Sequence, residues 1–264
     1  MKTIHTLLLL LLATSITLAQ DAEATAAGTY NDGLEALKAK EYNTAFEKLM
    51  MAIELANPDD ENDAKVIRLA KGNGAIAAYY SGNDLLKEEK FDEAKARFEK
   101  GIELNPGAYT CFYGIAKGYD DQNMIAEAVP AYLKAAEVAE SANKADRAER
   151  YISRAGSIIG TSYAAENYDQ AIAGAEAFLA AKEDKDVSYY MAKSLIASGQ
   201  PSDALTHAEK AAELGGTEDE GKFLLVHAEA LEAVGNKSAA AAAYLKIPEG
   251  KYHDHAQYKA GQME

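Results

Sequence analysis

The residues best suited to acid–base or metal chemistry are the histidines, and all but one of the five lie beyond residue 200. Imidazole is a common metal ligand and a common catalytic acid or base. His253 and His255 are two positions apart, so they would not face each other on a helix, and only an extended terminus would let them share a metal. His207 and His227 stand singly in helical sequence. We therefore expect no metal site, no cofactor and no enzymatic activity.

Three other patterns that could perform chemistry are explained more simply by structure. The acidic run at 59–63 lacks the glycine and distant glutamate of an EF-hand loop and suits the start of a helix. The Gly72-Asn73-Gly74 run does not follow a strand, so it predicts a weak point in a helix and not a phosphate loop. Cys111 is the only cysteine and cannot form an internal disulfide. Its aromatic neighbours favour burial, and an intermolecular link is the alternative.

Composition indicates an acidic, all-helical protein. The 264 residues have a formal net charge of −15, with five prolines and no tryptophan. Ala, Leu, Glu and Lys dominate, which is typical of helices. Binding to nucleic acid requires a basic stripe, and no cluster of Lys or Arg is evident along the chain. We therefore expect no nucleic-acid partner.

Residues 1–19 have the pattern of a secretory signal peptide. A short basic start precedes the apolar run LLLLLLATSITL, and Thr17-Leu18-Ala19 offers a cleavage site before Gln20. The run is short for a membrane span of about 20 residues, so we expect no integral span after cleavage. An uncleaved N-terminal anchor is the alternative. The pattern predicts a protein that is exported, either periplasmic or secreted.

The segment from Ala78 to Pro106 reads as two amphipathic helices joined near Glu89 and Lys90. Small residues fall where the helices would cross, at Gly82, Ala94 and Gly101, and large apolar residues fill the spaces between them. Helices approach to about 8–10 Å only where one side offers little beyond Cβ. The segment therefore predicts a helical hairpin. Side-chain caps are expected for its second helix from Asp92 and for two later helices from Ser202 and Ser238.

The same spacing returns along the chain, with alanine at the matching position of each second helix: Ala45, Ala94, Ala128, Ala171, Ala204 and Ala240. This pattern resembles the tetratricopeptide repeat (TPR), a helix-turn-helix unit of 34 residues. The resemblance implies an all-α, right-handed α-solenoid of about six TPR-like helical hairpins plus a C-terminal capping helix. It predicts one solenoid over residues 20–264, with repeats at about 27–58, 75–107, 109–140, 152–182, 185–215 and 221–248 and a capping helix at 251–262 that turns Tyr258 inward.

Two segments depart from the regular repeat. Residues 59–77 and 141–151 are helical in pattern and are expected to lengthen the first helices of the second and fourth hairpins. In the fourth hairpin Ile159 and Phe178 stand where small residues are expected. Either that hairpin opens wider, or its first helix shifts towards Gly156 and Gly160.

The resemblance also implies a binding surface, because first helices of TPR arrays line a concave groove that receives a peptide. The fifth position of each first helix, which faces that groove, reads Tyr30, Tyr79, Tyr113, Gly156, Tyr189 and Leu225, and the ninth reads Leu34, Asn83, Lys117, Gly160, Lys193 and Glu229. Tyrosines suit partner recognition, although they also serve repeat packing. The ninth positions lack the full Lys and Asn set that clamps a terminal carboxylate. The candidate partner-binding residues are Tyr30, Tyr79, Asn83, Tyr113, Lys117, Tyr189 and Lys193.

These observations predict a non-catalytic scaffold or adaptor that binds a protein or peptide through its concave face, in a bacterial cell-envelope assembly. A structural protein that self-associates is the alternative, and the sequence leaves the oligomeric state open.

Overall fold

A computed structural model describes residues 24–263, which form thirteen α-helices and no strand. The predicted signal peptide at 1–19 lies outside these residues. No helix in the described range is long and apolar enough to cross a membrane.

The helices follow one another with short connections, in the order α1 (Ala26–Lys38), α2 (Tyr42–Leu55), α3 (Glu61–Lys87), α4 (Phe91–Leu104), α5 (Tyr109–Asp121), α6 (Ile125–Ser141), α7 (Ala145–Ala164), α8 (Tyr168–Ala181), α9 (Lys185–Ala197), α10 (Pro201–Gly215), α11 (Glu218–Ala233), α12 (Lys237–Tyr244) and α13 (His253–Gly261). Within α11 the backbone is left-handed at Asp219, Glu220 and Gly221, so the regular right-handed helix begins after Gly221.

Each helix from α1 to α12 packs against the next, and the first helices of successive hairpins also touch, as α1 with α3, α3 with α5, α7 with α9, and α9 with α11. Buried residues form a chain of small clusters along this array. Neighbouring hairpins therefore cover each other's apolar faces. The prediction of an all-α solenoid is confirmed.

One turn geometry recurs in every hairpin. Two residues beyond the first helix the backbone takes a positive φ, at Lys40, Glu89, Asn123, Glu166, Gly199 and Gly235. The next amide donates to the carbonyl five residues earlier, with N–O distances between 2.8 and 3.0 Å. This bond closes the end of the first helix and reverses the chain. The same turn at six matching positions is structural evidence that the hairpins repeat in register.

The helix crossings are close because small residues occupy them. The six matching alanines of the second helices are all fully buried. In the second hairpin, a Cβ added at Gly82 would lie 2.4 Å from the Phe98 ring, and one added at Gly114 on α5 would lie 2.5 Å from the same ring. The Phe98 ring thus packs closely against both glycines. A larger residue at either glycine would push α3, α4 and α5 apart.

The fourth hairpin opens wider, which is the first of the two alternatives that the sequence left open. Ile159 and Phe178 are both buried at its crossing, and α8 packs as extensively against α6 as against α7. The closest approach is made by Gly174, where an added Cβ would lie 2.8 Å from Ile125 of α6. Gly160 faces Tyr190 of the next first helix and not its own hairpin partner.

The expected side-chain caps are wrong at all three positions. Asp92, Ser202 and Ser238 lie inside the first turns of their helices, because the hairpin turn itself ends one residue before each helix begins. Of these three helices only α12 has a side-chain cap, in which the side-chain oxygen of Asn236 accepts a hydrogen bond from the amide of Ala239.

Two other expectations fail and one is confirmed. Gly72-Asn73-Gly74 does not interrupt α3, which continues through it to a length of 27 residues. Tyr258 is 65% exposed and does not turn inward; Ala256 and Ala260 provide the buried contacts of α13. The lengthened first helices are confirmed by α3 and α7, although α7 begins only at Ala145.

Candidate functional site

An open cleft of about 610 Å³ lies where the first helices α3, α5 and α7 come together. We call it the tyrosine–arginine cleft. Its lining residues are Tyr79, Tyr80, Tyr109, Thr110, Tyr113, Arg147, Arg150, Tyr151 and Arg154. α3 and α5 pack side by side, and α7 meets α5 through the side chains of Tyr151 and Arg154, so residues far apart in sequence share one surface.

The tyrosine rings form the walls of the cleft by packing on each other. Tyr113 of α5 stacks on Tyr151 of α7 with ring centroids 4.9 Å apart, and Tyr109 lies 6.5 Å from the same Tyr151 ring. Tyr79 contacts Tyr80 at 5.2 Å and is backed by Phe98 at 6.4 Å. Aromatic contacts of this kind hold the side chains in place before any partner binds.

Burial favours the neutral form of two of these phenols. It raises the pKa of Tyr151 to about 12 and also raises the pKa of Tyr79, because a phenolate loses its hydration there. At physiological pH both hydroxyls therefore remain protonated and can donate hydrogen bonds. The walls of the cleft offer both apolar ring area and polar donors.

Three arginines occupy the α7 side of the cleft. Arg147, Arg150 and Arg154 are three and four residues apart, which places them on one helix face. Arg154 pairs with Asp120 of α5 at 2.7 Å, and Arg150 approaches Asp146 at only 3.7 Å. Within residues 24–263, no carboxylate pairs with Arg147.

This arginine face corrects the expectation that basic residues do not cluster. The acidic Asp146 and Glu149 alternate with the arginines in the string ADRAERYISR, and they hide the cluster from a linear reading. A helical projection of that string places the three arginines on one face, with Asp146 at its edge, and reveals the cluster.

The structure brings two of the predicted tyrosines together and leaves two apart. Tyr79 and Tyr113 both line the cleft. Tyr30 lies on α1, where its hydroxyl accepts a hydrogen bond of 3.0 Å from the Asn73 amide. Tyr189 lies on α9 and packs edge-on against Phe223 at 6.0 Å. The four predicted tyrosines therefore do not form one continuous row: two lie together in the cleft and two lie apart from it.

The three polar candidates are bonded within the chain. The Asn83 amide donates to the carbonyl of Tyr79 at 2.7 Å. Lys117 pairs with Asp121 one turn further along α5. Lys193 pairs with Glu229 of α11 at 2.9 Å, so it joins neighbouring first helices. A partner would have to compete with these bonds to engage them.

An apolar strip continues from the cleft along α3. Leu69, Ile76 and Tyr80 are 39%, 47% and 42% exposed, and they recur at helical spacing. A second open cleft of about 520 Å³ lies beside this strip and shares Tyr109 and Thr110 with the first. The two clefts form one continuous groove across α3 and α5.

The remaining candidates for chemistry are explained by packing. Across residues 24–263, no group of three or more His, Cys, Asp or Glu side chains could hold a metal. His253 contacts the Ile247 carbonyl at 3.1 Å and Glu249 at 3.5 Å. Burial lowers the pKa of His207 and of His227, so both favour the neutral form. Cys111 is fully buried, and loss of hydration raises its pKa to about 12.

The fold and the groove together define the class of this protein as a helical-repeat array with an open surface along its first helices. No family model and no curated protein matches the chain.

Solved structures that are similar to the chain include YrrB, described as a TPR protein with an unusual peptide-binding site, at 20% identity over 72% of this chain and 75% of that one, with a TM-score of 0.31. A TPR protein from Parabacteroides merdae is 13% identical over 90% and 98% of the two chains, at 0.34. The C-terminal part of a TPR protein from Cytophaga hutchinsonii is 16% identical over 88% and 85%, at 0.39. These similarities are too distant to indicate a partner.

Proposed function

We propose that this chain is an exported, non-catalytic TPR-like scaffold that binds a protein partner through the groove along its first helices, as part of a bacterial cell-envelope assembly. The observation that supports this most directly is the tyrosine–arginine cleft, an open site with pre-positioned aromatic rings and exposed guanidinium groups. Tyrosine provides contact area at low conformational cost, and arginine is enriched where proteins recognise each other.

The shape of the groove suits an extended segment of chain. From Leu69 to Tyr80 the apolar strip spans about 17 Å at the rise of an α-helix. An extended peptide covers that distance with about five residues. The cleft beyond Tyr80 offers the hydrogen-bonding groups, so one segment could place apolar side chains on the strip and polar ones in the cleft.

The experiment compares capture of the partner by three forms of the protein. After crosslinking in the native host, wild type is expected to co-purify with a discrete partner. The double variant Tyr79→Ala/Tyr113→Ala is expected to lose it, because both rings line the cleft. Tyr258→Ala removes an exposed tyrosine from α13 and is the matched control, expected to retain the partner.

Far-UV circular dichroism must show equal helicity in all three proteins. Partner capture that survives in the double variant would move the site away from the cleft.

Export rests on the sequence of residues 1–19 alone. We expect the protein in the periplasmic or secreted fraction of the host, with an N-terminus at Gln20. Recovery from the cytoplasm with Met1 intact would contradict this part of the proposal, and membrane retention would favour the uncleaved anchor.

Self-association is the second candidate, supported by apolar residues at the C-terminal end of the array. Leu245 is 56% exposed and Tyr258 is 65% exposed. Light scattering distinguishes the candidates: oligomers that the double variant Leu245→Lys/Tyr258→Lys converts to monomers would support stacking of the array ends. A wild-type monomer at micromolar concentration removes this candidate.

A further inference from the structure

The lining of the tyrosine–arginine cleft carries basic groups, whereas the chain as a whole is acidic. The chain has 42 acidic and 27 basic residues. The lining of the cleft nevertheless contains three arginines and no carboxylate. A local excess of positive charge on an acidic protein indicates a site for a negatively charged group.

Two of the three arginines are available to such a group. Arg147 and Arg150 are exposed and one helical turn apart; Arg147 forms no ion pair among the described residues, and Arg150 makes only a long, exposed contact of 3.7 Å with Asp146. Arg154 is already bonded to Asp120, which also accepts the Tyr132 hydroxyl at 2.9 Å, so it serves to join α5, α6 and α7. Guanidinium groups bind carboxylates through paired hydrogen bonds, with better geometry than lysine provides.

We propose that the cleft binds a short internal acidic segment of the partner protein, with its carboxylates on Arg147 and Arg150 and an aromatic or apolar side chain against Tyr79 and Tyr113. This inference rests on the proposed function and adds the chemistry of the partner to it. The neutral tyrosine hydroxyls supply further donors to the same carboxylates.

The acidity of the rest of the chain limits the length of the negative segment. At physiological salt, charges interact over about 8 Å, so a few carboxylates inside the cleft experience mainly the arginines. A long polyanion such as nucleic acid would extend beyond the arginines along a molecule whose formal net charge is −15 and would be repelled. The segments that flank the acidic residues of the partner are therefore neutral or basic.

The first experiment measures fluorescence anisotropy with defined probes and the purified protein. A short labelled peptide that repeats Glu-Glu-Tyr is compared with the same peptide carrying Gln in place of Glu, and with short duplex DNA. The acidic peptide is expected to bind at least about tenfold more tightly than the Gln peptide, since the Glu carboxylates form charged, bidentate pairs with guanidinium groups and the neutral Gln amides do not. No binding of the acidic peptide, equal binding of the Gln peptide, or tighter binding of DNA would each overturn the inference.

The second experiment tests the location. Arg147→Glu/Arg150→Glu is compared with Lys134→Glu/Lys237→Glu, which changes the net charge equally at exposed positions on α6 and α12. The arginine variant should weaken the acidic peptide at least about tenfold and the lysine variant less than about twofold. Equal losses would show a general charge effect and refute a specific site.

Partner capture separates failure of this inference from failure of the proposed function. If the arginine variant keeps the native partner while Tyr79→Ala/Tyr113→Ala loses it, the acidic-segment inference fails and the scaffold function stands. If neither variant loses the partner, both fail.

Discussion

Replacing Gly82 by alanine tests the close crossing that sets the spacing of the cleft. A Cβ added at Gly82 on α3 or at Gly114 on α5 would meet the same Phe98 ring. Tyr79 precedes Gly82 by one helical turn, and Tyr113 adjoins Gly114. The distance between the two cleft tyrosines therefore depends on how closely both helices approach Phe98.

The expected magnitude follows from two opposing effects. Alanine in place of a helical glycine favours the helix by about 1 kcal/mol. At Gly82, however, the new Cβ would lie 2.4 Å from the Phe98 ring, where ordinary contact needs 3.4–4 Å. Forcing the helix and the ring apart costs about 1–3 kcal/mol. We expect Gly82→Ala to lower the free energy of unfolding by up to about 2 kcal/mol.

Gly72→Ala is the matched control in the same helix, because nothing lies within 4 Å of its added Cβ. Both variants gain the same helix propensity, so the difference between their free energies of unfolding reports the overpacking alone, about 1–3 kcal/mol. Urea denaturation followed by far-UV circular dichroism measures it. Adding Phe98→Leu to Gly82→Ala should cost less than the two single changes combined, because the smaller side chain makes room for the methyl group.

A Gly82→Ala variant as stable as Gly72→Ala would refute the reasoning, since it would show that the crossing has room to spare.

Three further predictions concern the turns, the buried thiol and the last hairpin. Glu89→Gly should raise the free energy of unfolding by about 1 kcal/mol and Gly199→Ala should lower it by a similar amount, because both positions need a positive φ that glycine adopts most easily; urea denaturation checks both, and a loss of stability in Glu89→Gly would contradict the assigned turn. Cys111 should resist a thiol-specific chromogenic reagent at neutral pH and react once urea unfolds the chain, because burial raises its pKa to about 12; rapid reaction in the native protein would show that the thiol is accessible. Desolvation would raise the pKa of the Glu232 carboxyl, but hydrogen bonds from Lys259 and the Tyr244 hydroxyl outweigh it. The pKa of this carboxyl therefore lies below its ordinary value of 4.5. Glu232→Gln should therefore destabilise the protein at neutral pH, and the difference from wild type should vanish as acid protonates the carboxylate below that ordinary value; a difference that persists in acid would refute the ion pair as its cause.

The repeat architecture could be predicted from the sequence because its cause is local and recurs. A small residue at each crossing leaves the same signature in every hairpin, and alanine at the matching position of all six second helices is hard to obtain otherwise. The turns could not be predicted from the sequence in the same way, because Lys40 and Glu89 adopt a positive φ that their residue types do not favour. There the packing of the two helices overrides local preference, and this is also why the predicted side-chain caps fail.

The candidate site could be predicted only in part. Tyr79 and Tyr113 follow from the repeat register, but Arg147 belongs to the lengthened part of α7, which the repeat pattern does not describe. Its nearness to Tyr79 depends on how neighbouring hairpins are placed; burial raises the pKa of that tyrosine, and the positive charge of Arg147 acts in the opposite direction. Contacts between hairpins depend on long-range packing, for which a single repeat has no signature.

The length of α3 links two parts of the array that would otherwise be separable. Its 27 residues extend about 40 Å, while α4 pairs with only half of that rod. Val66 and Ala70 of its amino-terminal half pack with residues of α1 and α2, and Leu86 near its carboxyl end packs with residues of α4 and α5. Deleting the first hairpin would consequently remove packing partners from a helix that also shapes the groove, so α1 and α2 support the binding surface and are not a dispensable module.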